Sequence, residues 1–155
     1  MKLEEITPLI LTYNEAPNLT RTLARLSWAH EVVVLDSCSA DATKEIAAAF
    51  PNVRFAERCF DDHTTQWNHG LDLCRTEWVL ALDADYVLGP GFEEELANLN
   101  ATTDAYDACF RYLIFGQPLP GIAVAADIAR VVVANAARLF CGHGLSPWLK
   151  TEKGR

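Results

Sequence analysis

The sequence predicts an α/β domain built on a mostly parallel sheet with helices on both faces. Three observations lead there. Four short apolar runs, Ile6 to Thr12, Glu31 to Leu35, Val53 to Ala56 and Trp78 to Leu82, alternate with helical patterns; such alternation calls for crossover connections between parallel strands. The chain has 155 residues, with 50% hydrophobic and 22% charged, which suits one globular domain with a real core. Finally, Thr12, Asp36 and the pair Asp83 and Asp85 all fall at the carboxyl ends of predicted strands, the edge where open α/β sheets bind ligands.

Each element has its own justification. Ile6 to Thr12 is an apolar first strand. In the segment that follows, Asn14 can supply a cap and Pro17 fits a first helical turn, where no backbone donor is needed. Leu19, Leu23 and Leu26 recur at helical spacing and carry that helix to about Trp28. Glu31 to Leu35 is Val-rich, as a buried strand is. Asp41 suits the N-cap of a helix over Thr43 to Phe50, which Pro51 stops. After the short strand Val53 to Ala56, Asp61 and Asp62 can cap a third helix with Trp67, Leu71 and Cys74 on one face. Trp78 to Leu82 is the fourth strand, and Gly89-Pro90-Gly91 opens a helix through about Leu99. Tyr106 to Phe115, with Arg111 inside it, predicts a further strand. Repeats, low-complexity segments and obvious linkers are absent from the sequence.

Composition narrows the function. A net charge of -8 argues against a nucleic-acid binder, which carries a basic face. An anionic substrate stays open, because a bound metal supplies positive charge locally. The five cysteines, Cys38, Cys59, Cys74, Cys109 and Cys141, are odd in number and contain no Cys-x-x-Cys pair. They are expected to be buried thiols in a reducing cytoplasm, rather than a disulfide framework or a zinc site. The amino terminus lacks a signal-peptide pattern. The apolar stretch Ile122 to Phe140 is interrupted by Asp127, Arg130 and Arg138, which disfavours a membrane-spanning helix. A cytoplasmic protein is expected.

The chemistry centres on Trp78-Val79-Leu80-Ala81-Leu82-Asp83-Ala84-Asp85. If the backbone stays extended past Leu82, Asp83 and Asp85 point to the same side. Paired carboxylates at the end of a core strand seat a hard cation such as Mg²⁺ or Mn²⁺, completed by water and substrate phosphates. The plainer reading is two solvated aspartates capping the next helix. Trp67, Trp78 and Phe110 are expected in the core rather than as sugar platforms. His63 and His69 do not share a helical face, so that pair is not expected to bind metal. Arg111 is expected to pair with Asp104 or Asp107, the alternative being that it reaches the substrate phosphates.

In this order and spacing, three stretches resemble glycosyltransferase family 2, the nucleotide-sugar-dependent enzymes of the GT-A fold. They are Leu11-Thr12-Tyr13-Asn14-Glu15, then Asp36-Ser37-Cys38-Ser39-Ala40-Asp41-Ala42-Thr43, then Gln66-Trp67-Asn68 through Glu77 to Asp85. The resemblance covers about residues 6 to 119. It implies a nucleotide-sugar-binding part over 1–119 and a divergent or truncated acceptor part over 120–155, together one domain. It implies that Thr12, Tyr13 and Glu15 line a nucleoside pocket and that Asp36 accepts a hydrogen bond from the base, typically uracil. Asp83 would face the ribose or the metal, and Asp85 would ligate the Mn²⁺ or Mg²⁺ that bridges the donor diphosphate. It also implies inversion at the anomeric carbon, aided by a general base. Asp127 is the candidate base, and His143, in a Gly-His-Gly turn, is a candidate metal ligand. Cys38 and Tyr86 depart from the pattern: Cys38 stands where the family commonly has Gly, a costly exchange if that position needs a positive φ.

The implied activity is transfer of a sugar from a nucleotide-diphosphate sugar, UDP-linked, to a saccharide or lipid-linked acceptor in bacterial envelope polysaccharide or lipopolysaccharide synthesis. Peripheral contact with the cytoplasmic face of the inner membrane would follow. The competing reading is a non-catalytic or truncated nucleotide-sugar-binding domain without a working acceptor half. A phosphatase using an Asp-x-Asp nucleophile would carry the motif on its first strand, and a nucleotidyltransferase would need a Gly-rich phosphate loop there.

Overall fold

The computed structural model describes residues 1–99, 105–107, 113–114, 117–118 and 132–135. A short 3₁₀ turn, Leu3–Glu5, leads into β1 (Ile6–Thr12), α1 (Ala16–Leu23), β2 (Val32–Asp36), α2 (Thr43–Ala48), β3 (Val53–Glu57), α3 (His63–Leu73), β4 (Trp78–Asp83) and α4 (Phe92–Ala97). After these come β5 (Ala105–Asp107), β6 (Leu113–Ile114), β7 (Gln117–Pro118) and β8 (Val132–Asn135). The main sheet runs β3-β2-β1-β4-β8-β5, and β6 and β7 form a separate antiparallel ribbon. Strands β1 to β4 are mutually parallel, as the alternation of elements predicts.

Strands β1, β2 and β4 read as nearly unbroken apolar runs because both of their faces are covered. Side-chain alternation divides the core between the two faces. Ile6, Ile10, Val32, Val34, Leu80 and Leu82 pack with Leu19, Leu23 and Leu26 and with Ala47 of α2. Leu9, Val33, Val79 and Ala81 face the other way, onto Trp67 and Leu71 of α3. Trp67 and Trp78 are buried, as expected. Gly70 lets α3 lie close to the sheet: a Cβ there would sit 2.9 Å from both δ carbons of Leu9, whose side chain is fully buried and has nowhere to go. Gly70→Val is therefore expected to lower stability by about 2 kcal/mol, the usual scale of overpacking, read as a shifted urea midpoint at unchanged slope.

Several elements differ from expectation. α1 ends at Leu23 instead of near Trp28; beyond it the chain continues in i→i+3 turns, with Leu26 bonded to Leu23 and Ala29 to Leu26. Leu26 stays on the buried face all the same, which is why the leucine spacing overextends the helix. α2 tightens in the same way before Phe50. Within the stretch from Tyr106 to Phe115, where a strand is expected, the described residues belong to β5 and β6; Phe110 and Arg111 lie outside the described residues. β8 was not expected. It lies antiparallel between β4 and β5, pairing Ala81 with Val132 and Trp78 with Asn135. Its signal is a short β-branched run, Val131-Val132-Val133, inside a stretch whose alanines suggest a helix. Among the described residues, no helix is long and apolar enough to cross a membrane.

Candidate functional site

Strand register assembles the site. In the parallel pairing of β1 with β2, Thr12 lies opposite Asp36; in the pairing of β1 with β4, Leu11 lies opposite Asp83. The two acidic strand ends therefore flank the end of β1, one on each side. The loops that leave this edge enclose a cleft of about 660 Å³, a volume typical of small-molecule sites. Thr12, Tyr13 and Asp83 line it, as do Ser37 and Cys38 after β2, Cys59 and Phe60 after β3, and His63, Gln66 and Trp67 of α3.

Asp36 organises the floor. It is only 1% exposed. Its Oδ1 accepts from the Thr12 hydroxyl at 2.8 Å and the Ser39 hydroxyl at 2.6 Å, and its Oδ2 accepts from the Ser39 backbone N–H at 2.7 Å. The loop after β2 is then tied to the loop after β1. The Asn14 N–H donates to Ser39 Oγ at 2.7 Å, Ala40 N–H to Asn14 Oδ1 at 2.9 Å, and Ala16 N–H to Asp41 Oδ2 at 3.1 Å. Asn14 adopts φ 54°, a left-handed conformation that Asn tolerates better than most residues. It bridges the loops and is not the α1 cap; that position belongs to Glu15. Ala42 likewise occupies the α2 N-cap expected for Asp41. Asp41 instead accepts from the Thr43 hydroxyl and N–H, and the hydroxyl bond holds its carboxyl below the usual range.

Cys38 and Cys59 form a disulfide, with Cα atoms 5.2 Å apart. This corrects the reading of these two cysteines as buried thiols; Cys109 and Cys141 lie outside the described residues. The cause is register: Asp36 lies opposite Glu57 in the β2–β3 pairing, so two residues further along each chain Cys38 and Cys59 meet. A sequence separation of 21 hides that meeting from any local motif. Cys38 also has φ 65°, the positive φ for which a glycine would be the usual occupant. Cys74, by contrast, is a free and half-buried thiol, pushed up to about 12 by burial.

The far wall of the cleft depends on Gln66, which has no exposed surface. Its Nε2 donates to Ser37 Oγ at 3.1 Å and to the Arg58 carbonyl at 3.0 Å, while Arg58 Nη1 donates to Gln66 Oε1 at 2.7 Å. Arg58 also forks onto Asp61 at 2.9 and 2.6 Å. As expected, Asp62 caps α3, accepting from Thr65 N–H at 2.9 Å. The Phe60 and His63 rings meet edge to face at 5.1 Å.

At the acidic end, β4 stops at Asp83, and the Tyr86 N–H closes a turn onto the Asp83 carbonyl at 3.1 Å. The extended backbone assumed for Asp83-Ala84-Asp85 is therefore corrected to a turn, and strand alternation does not orient the pair. Proximity remains. Asp83 is exposed at the strand end, but desolvation by the surrounding protein raises its carboxyl most, a hydrogen bond with Tyr86 opposes the rise, and the charges of Asp85 and Glu15 add to it while His63 counters them. Asp83, Asp85, Glu15 and His63 thus share one electrostatic neighbourhood. No cluster of three or more His, Cys, Asp and Glu placed to hold a metal occurs among the described residues. Two neighbouring carboxylates still fit Mg²⁺ or Mn²⁺, which commonly take one or two protein carboxylates and fill their other positions with phosphate and water.

Of the residues singled out in the sequence, Thr12, Tyr13 and Asp83 line the cleft, Asp36 is hydrogen-bonded to Thr12 behind that lining, and Glu15 and Asp85 act on Asp83 through their charge without lining the cleft themselves. Asp127 and His143 lie outside the described residues. Although Ser37 and Gln66 stand within the stretches that carry the family resemblance, sequence reasoning gave no site role to Ser37, Phe60, His63 or Gln66. The signal for the last three was the cap at Asp62, which fixes where α3 begins at the ligand-binding edge of the sheet.

A four-stranded parallel sheet with helices on both faces, and acidic strand ends flanking its central crevice, defines an α/β domain of the GT-A type. The profile of Glycosyl transferase family 2 matches residues 9–124, and the chain belongs to that family. It is 33% identical over 96 residues to the succinoglycan biosynthesis protein ExoO of Rhizobium meliloti, a match covering 57% of this chain and 28% of that protein. Among solved structures it is similar to the mannosyltransferase PcManGT of Pyrobaculum calidifontis in complex with GDP-Man and Mn²⁺, at TM-score 0.55 and 27% identity, covering 65% of this chain and 34% of that one. It also shares the fold of glucosyl-3-phosphoglycerate synthase from Mycobacterium tuberculosis in complex with UDP, at TM-score 0.64 and 16% identity, over 86% of this chain and 57% of that one. The chain thus spans well under half the length of the curated relative described here.

Proposed function

We propose that the protein is a metal-dependent, inverting glycosyltransferase that moves a sugar from a nucleotide-diphosphate sugar, UDP-linked, to a hydroxyl of a saccharide or lipid-linked acceptor. One observation carries the reading: the ends of β2 and β4 set Asp36 and Asp83 on either side of β1, at the edge of one cleft whose mouth exposes Tyr13. The nucleobase would pack against the Tyr13 ring beside Thr12 and Glu15. Asp36 would accept from the base through Oδ2, which takes a single bond within the protein and so keeps acceptor capacity. Asp83 and Asp85 would hold Mn²⁺ or Mg²⁺ with the diphosphate. Such an ion stabilises the charge that develops on the departing nucleoside diphosphate. Asp127 is retained as the proposed base and His143 as a further ligand.

Support for the metal comes from PcManGT, which holds Mn²⁺ with its donor. Support for an envelope polysaccharide pathway comes from the name of ExoO. Work at the cytoplasmic face of the membrane is part of the same proposal. Calorimetry with UDP and GDP, each with Mn²⁺ and with chelator, tests the donor. UDP is expected to bind at least about tenfold more tightly with the ion, consistent with charge neutralisation at a diphosphate. Tight binding indifferent to chelation would remove the metal from the scheme, preference for GDP would reassign the base, and binding without sugar transfer would favour a donor-binding domain.

A further inference from the structure

The Cys38–Cys59 disulfide does more than link two strands, because both half-cystines and the neighbouring Phe60 line the cleft. The two loops it joins are held very differently. The loop after β2 is fixed by the Asp36–Ser39 bonds and by the crossings to Asn14 and Ala16. Those bonds involve neither sulfur, so this loop keeps its shape when the disulfide opens. The loop after β3 is anchored at Arg58, whose N–H donates to the Asp36 carbonyl at 2.9 Å, and again at the Asp62 cap of α3. Between these anchors, Cys59 and Phe60 make no backbone hydrogen bond to the sheet among the described residues. What fixes them is the disulfide, the contact of Phe60 with His63, and a 3.4 Å bond from Arg58 Nη1 to the Cys59 carbonyl. Phe60 is 49% exposed and lines the same cleft as Tyr13.

We infer that this disulfide is a redox-sensitive clasp that holds the Phe60 wall in place, so that nucleoside diphosphate binding depends on the thiol state of the protein. The inference rests on the donor-binding reading above. Both cysteine residues are exposed, so a small dithiol reaches them. One thiolate of the dithiol attacks a sulfur of the bond, releasing one cysteine and forming a mixed disulfide with the other; its second thiol then attacks that mixed disulfide and displaces the cysteine still held in it. The balance is two electrons and two protons to Cys38 and Cys59, and a cyclic disulfide from the reductant. With the clasp open, Phe60 samples several positions, and its ordering must accompany each binding event, which weakens affinity.

The test compares UDP binding, in Mn²⁺, by three samples. The first is oxidised protein with the Cys38–Cys59 cross-linked peptide verified by mass spectrometry. The second is protein reduced with dithiothreitol and desalted anaerobically. The third is the Cys38→Ser/Cys59→Ser variant. Circular dichroism checks that each is folded. Reduction is expected to weaken UDP binding about tenfold, the scale of lost preorganisation, and the double variant should match the reduced protein and ignore dithiothreitol. The Phe60–His63 ring contact, followed by nuclear Overhauser effect, should weaken on reduction, while amide exchange at Ser37, Ser39 and Ala40 stays slow. Equal affinity in oxidised and reduced protein, a double variant that still responds to reductant, or an unchanged Phe60–His63 contact would each overturn the inference alone. Failure of the oxidised protein to bind any nucleoside diphosphate would instead overturn the donor reading, and this inference with it.

Discussion

Asp85→Ala is expected to lower the turnover number for sugar transfer about a thousandfold, since Lewis-acid stabilisation of a leaving group is worth several kcal/mol. The melting temperature should hardly move, because Asp85 is exposed and follows the last strand residue. Chelation of the unaltered protein should reproduce the loss, and added Mn²⁺ should restore the proposed activity to that protein but not to the variant. The measurement is release of nucleoside diphosphate, with a folded-state melt alongside. Turnover within tenfold of the parent protein would show that Asp85 is not a metal ligand, and would return the pair to its plainer role as turn aspartates.

The second large effect belongs to Asp36. Asp36→Ala deletes a buried carboxylate that takes two hydroxyls and one backbone N–H. The Thr12 hydroxyl lies in a buried residue and loses its acceptor. We expect a loss of about 3 kcal/mol, because hydrogen bonds to charged groups contribute roughly 1.5–3 kcal/mol each and stranded buried donors add a desolvation cost. Donor binding should fall as well, since the loop that carries Ser37 and Cys38 is built on this carboxylate. Asp36→Asn keeps the shape and one acceptor, so it should recover much of the stability. If the alanine variant melts like the parent, the hydrogen bonds around Asp36 are not what fixes the loop.

How much could be read beforehand depended on whether the signal was local or set by register. The alternation of apolar runs with helical spacing revealed β1 to β4 as parallel strands; burial on both faces leaves β1, β2 and β4 continuously apolar, while β3 at the sheet edge is only half-buried. Asp36 and Asp83 were legible as strand-end polar residues. The Asp62 cap was legible too, since an N-cap is a one-residue signal with a fixed geometry. What escaped was set by pairing between distant segments. Nothing local to Cys38 names Cys59; only the β2–β3 register does. Gln66 reads as an ordinary polar helix residue until α3 is laid against the sheet, where it proves to be fully buried and bonded to two loops. β8 was hidden for a related reason: four residues are too few for a period to show, and the alanines around them favour a helix on propensity.

The placement of β8 has a consequence for how the chain assembles. β4 pairs on one side with β1, which precedes it, and on the other with a strand drawn from residues 132–135. During synthesis the amino-terminal parallel layer can form while the outer border of β4 still presents unpaired amide and carbonyl groups. An open border of that kind invites pairing with another nascent chain. Closing it must wait until the ribosome has delivered Asn135, so the strand that ends in Asp83 is completed late.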